Sequence, residues 1–288
     1  VVARTTRVSR RLRLCPCLVR EPLVCCLLLA IVMGCRNSHR ALGTIATEKL
    51  TQDKRDEPED ADWNRLAAKD PLAFLEACRR HYRATIRDYR GLFRIQEAVD
   101  GVRRPEEHIK IRFREEPYSV RMDWIQNARR AARLTYVRGR WTKDGREMAL
   151  ILPAGVLGLL VPMGVKRDIH GADMAKDASR PVDEFGYDHT LRRIIEVCRR
   201  AMGRPQYRLR YVGATTFHGR PCYHLERHLP YSREDGAFPN RLLDIYIDRE
   251  WLVPIGCLGY ADDARTQLLG SYLLLATEFN VGLTDADF

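Results

Sequence analysis

The sequence predicts an α+β domain, mainly β, built as a large curved antiparallel sheet, an open half-barrel, with about two helices covering its concave face. Three observations lead there. Apolar and polar residues alternate in about ten runs between residues 89 and 280, the pattern of strands with one buried face. Asp-Gly and His-Gly pairs separate several runs, and short turns favour antiparallel neighbours. Only two stretches carry apolar residues at helical spacing, and a one-sided sheet needs such a cover.

The first helix starts at Asp70-Pro71, because Asp caps free backbone donors and Pro is preset for the first helical position. Leu72, Leu75, Cys78, Tyr82 and Ile86 then form one apolar stripe. Strand faces follow as Tyr89, Phe93 and Ile95; Ile109, Ile111 and Phe113; Tyr118, Val120, Met122 and Trp124; Ala132, Leu134 and Tyr136; and Met148 to Leu152. A second helix runs from about His189 to Met202, with Leu191, Ile194, Ile195 and Cys198 on one face and Gly203 and Pro205 to end it. The later strands are Tyr207 to Tyr211, Tyr223 and Leu225, Leu243 to Ile247, Trp251 to Tyr260, and Ser271 to Asn280. Asp100-Gly101, Asp144-Gly145 and His218-Gly219 supply turns.

Ahead of this domain, residues 1–35 read as an export signal. The apolar run Leu23–Gly34 has 12 residues, whereas a helix needs about 20 to cross a bilayer. Six arginines against one glutamate flank it, the positive segment, short apolar core and small-residue exit of a signal peptide. The exit Val32-Met33-Gly34-Cys35 resembles the bacterial lipobox, with bulky Met33 as the departure, so Cys35 is the candidate lipid-attachment site. Arg36 after the cysteine favours outer-membrane placement. Residues 36–69 are polar and charged and read as a tether, which leaves 70–288 as a single domain of a size one core can support.

Without residues 1–35 the net charge falls from +11 to +6. Basic residues are scattered rather than gathered into a phosphate-neutralising stripe, so nucleic acid is not an expected partner. Cys78, Cys198, Cys222 and Cys257 form no CxxC pair, and they read either as disulfide partners of unassigned connectivity or as buried thiols.

No GxSxG, HExxH or P-loop motif occurs, and the chain is read as a non-enzyme that needs no cofactor. The cluster most like an active site, Cys222, His224, Glu226 and His228, alternates along one strand. Cys222, His224 and His228 are candidate metal ligands, yet alternate strand residues stand about 7 Å apart, too far for a row to close on one ion. Asp244 and Asp248 are equally ill placed for paired-carboxylate chemistry. Val156, Leu157, Leu159, Leu160, Val161 and Met163 lie in an apolar segment, 153–165, with three glycines and two prolines. One reading makes it a buried crossover filling the concave face. The other makes it a mobile lid whose side chains touch acyl chains or a membrane.

Ile86-Arg-Asp-Tyr89 with Gln96-Glu97, Pro117 to Trp124, Asp244 to Glu250 with Pro254, and Glu278 to Phe288 together resemble the bacterial DUF1571 family. That resemblance implies an exported protein akin to the outer-membrane lipoprotein carriers, whose curved sheet encloses an apolar cavity for lipid. The expectation is a lipid-anchored protein of the envelope or periplasm that binds lipid or acylated protein, with the membrane reached through its N-terminal anchor. The alternatives are a metal-dependent envelope enzyme using Cys222, His224 and His228, and a structural protein whose concave face is packed solid.

Overall fold

In the computed structural model, residues 60–288 are described except for 100, 173, 175–179 and 235. The expected signal, Cys35 and the first part of the expected tether lie outside the described residues. Alternation becomes pairing as expected. Strands β1 (Asp88–Val99), β2 (Val102–Arg103), β3 (Glu107–Arg114), β4 (Ser119–Gln126), β5 (Ala131–Val137), β6 (Thr142–Lys143), β7 (Arg146–Pro153) and β8 (Val165–Asp168) build one half. Strands β9 (Arg208–Phe217), β10 (Arg220–His228), β11 (Leu242–Asp248), β12 (Pro254–Tyr260) and β13 (Leu268–Phe279) build the other. They form one antiparallel sheet in the order β6-β7-β5-β4-β3-β1-β13-β12-β11-β10-β9, with β2 on β1 and β8 on β7. Among the described residues no pairing joins β9 to β6 or β8, so the sheet is open. Register shifts interrupt six of the pairings, and such irregularities bend strands and raise local twist.

The turn signals hold for a steric reason. Asp144 and Gly145 have φ of 51° and 74°, and His218 and Gly219 have 47° and 79°. Both central residues of these hairpins are left-handed, the conformation whose twist matches the flanking strands.

Among the described residues, four α-helices accompany the sheet: α1 (Asp60–Lys69), α2 (Pro71–Thr85), α3 (Val156–Leu160) and α4 (Tyr187–Ala201). Asp70 caps α2 by accepting from Ala73 N at 2.9 Å. The stripes of α2 and α4 pack together on the sheet, where Phe74, Leu75, Cys78, Leu191, Ile195 and Cys198 meet Tyr223, Leu225, Ile245 and Ile247. Asp188 ties the two helices by accepting two hydrogen bonds each from Arg79 and Arg83. Burial alone raises the Asp188 pKa, but these guanidinium bonds outweigh it and hold the carboxyl below its ordinary value. Gly186, with φ 110°, lets the start of α4 approach the sheet, since a Cβ there would lie 3.0 Å from the Phe113 ring.

Two expectations need correction. The tether does not extend to 69: its last ten residues form α1, which buries Ala67 and packs Trp63 and Leu66 against the α2 core. Tyr211 OH also donates to Asn64 Oδ1 at 2.7 Å, fixing α1 beside β9. The segment 153–165 does not fill the concave face. It forms α3 and its flanks beyond β7, at an edge of the sheet, with Val156, Leu157, Leu159, Leu160 and Met163 between 63% and 84% exposed.

The last residues are also more ordered than a tail. Thr284 and Asp287 form a capping box, Arg114 donates to Asp285 at 2.7 Å, and Arg140 donates to the Phe288 carbonyl at 3.0 Å.

Candidate functional site

Between the concave face and α4 lies a cavity of about 380 Å³. Its floor crosses the sheet from β5 to β10: Leu134, Met122, Ile109, Phe93, Leu274 and Cys257 are among the side chains beneath it. Its roof is α4, through Tyr187, Thr190, Ile194 and Val197, together with the segment from Arg180 to Gly186. Tyr118 fixes that segment, because its hydroxyl donates to the carbonyls of Val182 and Phe185 at 3.1 and 2.7 Å. Phe185 packs edge-on against Phe93 at 5.6 Å between centroids. The lining is therefore aliphatic and aromatic along most of its length, the composition that favours an apolar ligand. The expected cavity exists, but neither Val161 nor the exposed side chains around α3 line it.

Polar groups occur at the two ends. At the β3–β5 end Glu107 accepts from Trp124 Nε1 and Arg129 Nε, both at 2.7 Å, so this carboxylate is satisfied. At the β10–β13 end stand Arg180, Arg193 and Arg227. Arg180 lies 5.8 Å over the Tyr272 ring, and Tyr272 OH donates to Glu97 at 2.7 Å. Burial, and after it the charge of Arg180, lower the Arg193 pKa. Arg227 is 2% exposed. It donates to Asn240 Oδ1 at 3.1 Å, its Nε has no partner among the described residues, and burial lowers its pKa.

The opposite face of the sheet holds the cluster singled out in the sequence. Cys222, His224, Glu226 and His228 do share a face of β10, and cross-strand pairing sets Glu226 against Asp244 of β11. His224, Glu226 and Asp244 offer ligand atoms within 4.8 Å of one another. Cys222, His224 and His228 are not gathered into one ligand set: Cys222 Sγ donates to the Arg220 carbonyl at 3.4 Å, and His228 Nδ1 pairs with Asp263 at 2.8 Å.

Moreover, arginines already hold the carboxylates. Arg265 donates to both oxygens of Asp244 at 2.8 and 2.9 Å and to Glu226, while Arg210 Nε donates to Glu226 at 2.7 Å. His224 Nε2 lies 3.0 Å from Asp244. Such a donor set is a charge-balanced lattice rather than an open metal site. Asp248 is likewise structural. It takes a bidentate pair from Arg220 at 2.7 and 2.9 Å and accepts the backbone N–H groups of Glu250 and Trp251, which fixes the turn into β12.

All four cysteines of the domain are free and buried. Desolvation pushes the Cys222 thiol up to about 12 and the Cys257 thiol up to about 11, so these are inert packing groups.

The chain belongs to the DUF1571 family of proteins of unknown function, whose family model matches residues 86–288. No curated protein matches the sequence. Among solved structures, a chain in the Pseudomonas aeruginosa MucA/MucB complex is 18% identical, with 80% of this chain and 60% of that chain covered and a TM-score of 0.41. The chain thus spans 60% of the length of that relative. Mycobacterium tuberculosis lipoprotein LppX is 11% identical, with 75% and 98% covered and a TM-score of 0.37. An outer membrane lipoprotein-sorting protein domain from Vibrio parahaemolyticus is 11% identical, with 74% and 94% covered and a TM-score of 0.32.

Proposed function

We propose that this is a non-catalytic lipid-binding protein of the cell envelope, which holds an acyl chain, free or attached to a protein, in the trough beneath α4. The observation that carries this reading is the apolar cavity of about 380 Å³ between the concave face and α4. That volume is near the lower end of the ~300–1,000 Å³ range of small-molecule pockets, which fits one chain better than a bundle of them. The mechanism is burial: each methylene removed from water contributes about 0.8 kcal/mol, and the lining makes no competing demand for hydrogen bonds along most of its length. Export and a lipid on Cys35 complete the proposal, tethering the domain to a membrane, with outer-membrane placement favoured by Arg36.

Organic extracts of the purified domain, examined by mass spectrometry, are expected to contain lipid, and a fluorescent fatty acid is expected to bind. Met122→Trp, which fills the trough from β4, is expected to reduce that binding at least tenfold. Absence of both lipid and binding overturns the carrier reading.

The apolar side chains of α3 have a separate role in this proposal. With Val161 and Met163 beside them, all but Val161 are exposed, and Ala154 N donates to the Arg130 carbonyl at 2.7 Å, so α3 begins beside the connection whose Arg129 lines the cavity. Val156, Leu157, Leu159, Leu160, Val161 and Met163 would meet the membrane where the chain enters. Vesicle co-sedimentation that is unchanged by Leu159→Ser with Leu160→Ser removes this role.

A further inference from the structure

Within the lipid-binding reading, on which this inference rests, the two ends of the trough are chemically different, and the difference selects a ligand class. At the β3–β5 end the charges of Glu107 and Arg129 cancel, and the Trp124 indole N–H takes up the other carboxylate oxygen. At the other end three guanidinium groups converge around one pair of cross-strand neighbours, Cys257 and Tyr272. Arg180 stacks over Tyr272, Arg193 projects from α4 beside it, and both Arg180 and Arg227 exert their charge on Cys257.

Among the described residues, no carboxylate forms an ion pair with Arg180, Arg193 or Arg227. Glu184 is the acid whose charge reaches Arg193, without contact. The groups that act most on Arg227 are the neutral Cys198, Cys257 and Tyr207, Asn240 accepts from it, and among the described residues its buried Nε is left without an acceptor. A buried, uncompensated charge costs several kcal/mol. A fold that keeps it at the end of a cavity gains that energy back when an anion arrives, and planar guanidinium groups suit carboxylate and phosphate oxygens.

We propose that Arg180, Arg193 and Arg227 form an anion-binding pole at the β10–β13 end of the trough, so that the ligand is an anionic amphiphile. Its carboxylate or phosphate head sits among these arginines, and its chain runs toward Ile109, Met122 and Leu134. The head fixes the direction of entry, and the chain supplies most of the affinity.

The experiment measures equilibrium binding of four probes to the purified domain: palmitate, hexadecyl phosphate, methyl palmitate and inorganic phosphate. Palmitate and hexadecyl phosphate are expected to bind at least tenfold more tightly than the neutral ester, and inorganic phosphate is expected to bind only weakly. Arg193→Gln and Arg180→Gln should each erode the preference for a charged head and leave methyl palmitate unaffected. Arg227→Met should abolish that preference, and where it fails to fold, the two other variants carry the test.

Equal affinity for palmitate and its ester in the wild type overturns the pole and leaves the lipid cavity standing. Discrimination that survives both Arg193→Gln and Arg180→Gln does the same. Binding of none of the chain-bearing probes overturns the cavity reading and this inference together, and tight binding of inorganic phosphate alone overturns the amphiphile.

Discussion

The two faces of β10 and β11 carry charge in opposite ways. On the outer face every buried carboxylate is matched: Glu226 and Asp244 are 5% and 3% exposed and are held by Arg210, Arg265 and His224. On the inner face Arg227 is equally buried and, among the described residues, forms no ion pair with an acid. A closed set of charges reads as structure, because nothing remains to recognise a ligand. An open set reads as function, because a buried charge persists only when something offsets its desolvation. The sequence cluster that most resembles an active site, Cys222 to His228, thus belongs to the closed set. The arginines that resemble nothing in particular belong to the open one.

The largest effect that tests this contrast is on stability. Arg265→Met strips Asp244 of its bidentate partner and Glu226 of one of two guanidinium groups, and because Arg265 is itself 40% exposed the loss is about 1–2 kcal/mol, below that of a fully buried pair. Urea denaturation should show that loss, and a change below about 0.5 kcal/mol, the scale of ordinary surface substitutions, would mean the outer network is not structural.

Acid unfolding gives the next effect. Burial alone would raise the Asp244 pKa, but His224 and Arg265 outweigh it and lower it. Burial likewise opposes Arg210 and Arg265 at Glu226, where the net direction is again downward. A depressed folded pKa contributes stability that is complete above the unfolded values of about 3.9 and 4.3 and is lost as pH falls through the lower folded values. The wild type should therefore hold this contribution at pH 5 and lose it below about pH 4. Arg265→Met, whose carboxyls titrate higher, should begin to lose stability at a higher pH. Coincident acid midpoints, followed by circular dichroism, would remove the ion pairs from the account.

The smallest effect belongs to the inner face. Arg193 is partly exposed on α4 and has no ion pair among the described residues, so Arg193→Gln should change unfolding free energy by less than about 0.5 kcal/mol while changing head-group preference. A large destabilisation would make Arg193 a structural residue and blur the distinction between the faces.

Much of the fold was legible in the chain. Asp70-Pro71 and the stripe from Leu72 to Ile86 located α2 almost to the residue, and Asp144-Gly145 and His218-Gly219 marked two hairpins. Helix α1 was missed because the charges around Trp63, Leu66 and Ala67 outweigh three apolar anchors in any composition window. Helix α3 was misplaced because apolar character reports what a segment could bury, and nothing local says that the connection from β7 to β8 leaves it exposed. The arginine pole had one available signal. Tyr223, Leu225 and Arg227 alternate on one strand face, so an arginine occupies an inward-facing position.

By itself, then, the sequence determined the class of sheet, its two covering helices, its turns and its family, because periodicity and turn chemistry act over a few residues. Only the tertiary structure decided which charges are balanced. Arg180, Arg193 and Arg227 come from a loop, a helix and a strand, and no spacing rule connects them. Their convergence depends on how α4 lies over a bent sheet, as does the pairing that brings Asp244 and Arg265 to Glu226. Whether a buried charge is satisfied is a property of its three-dimensional surroundings, and that is where the proposed site is found.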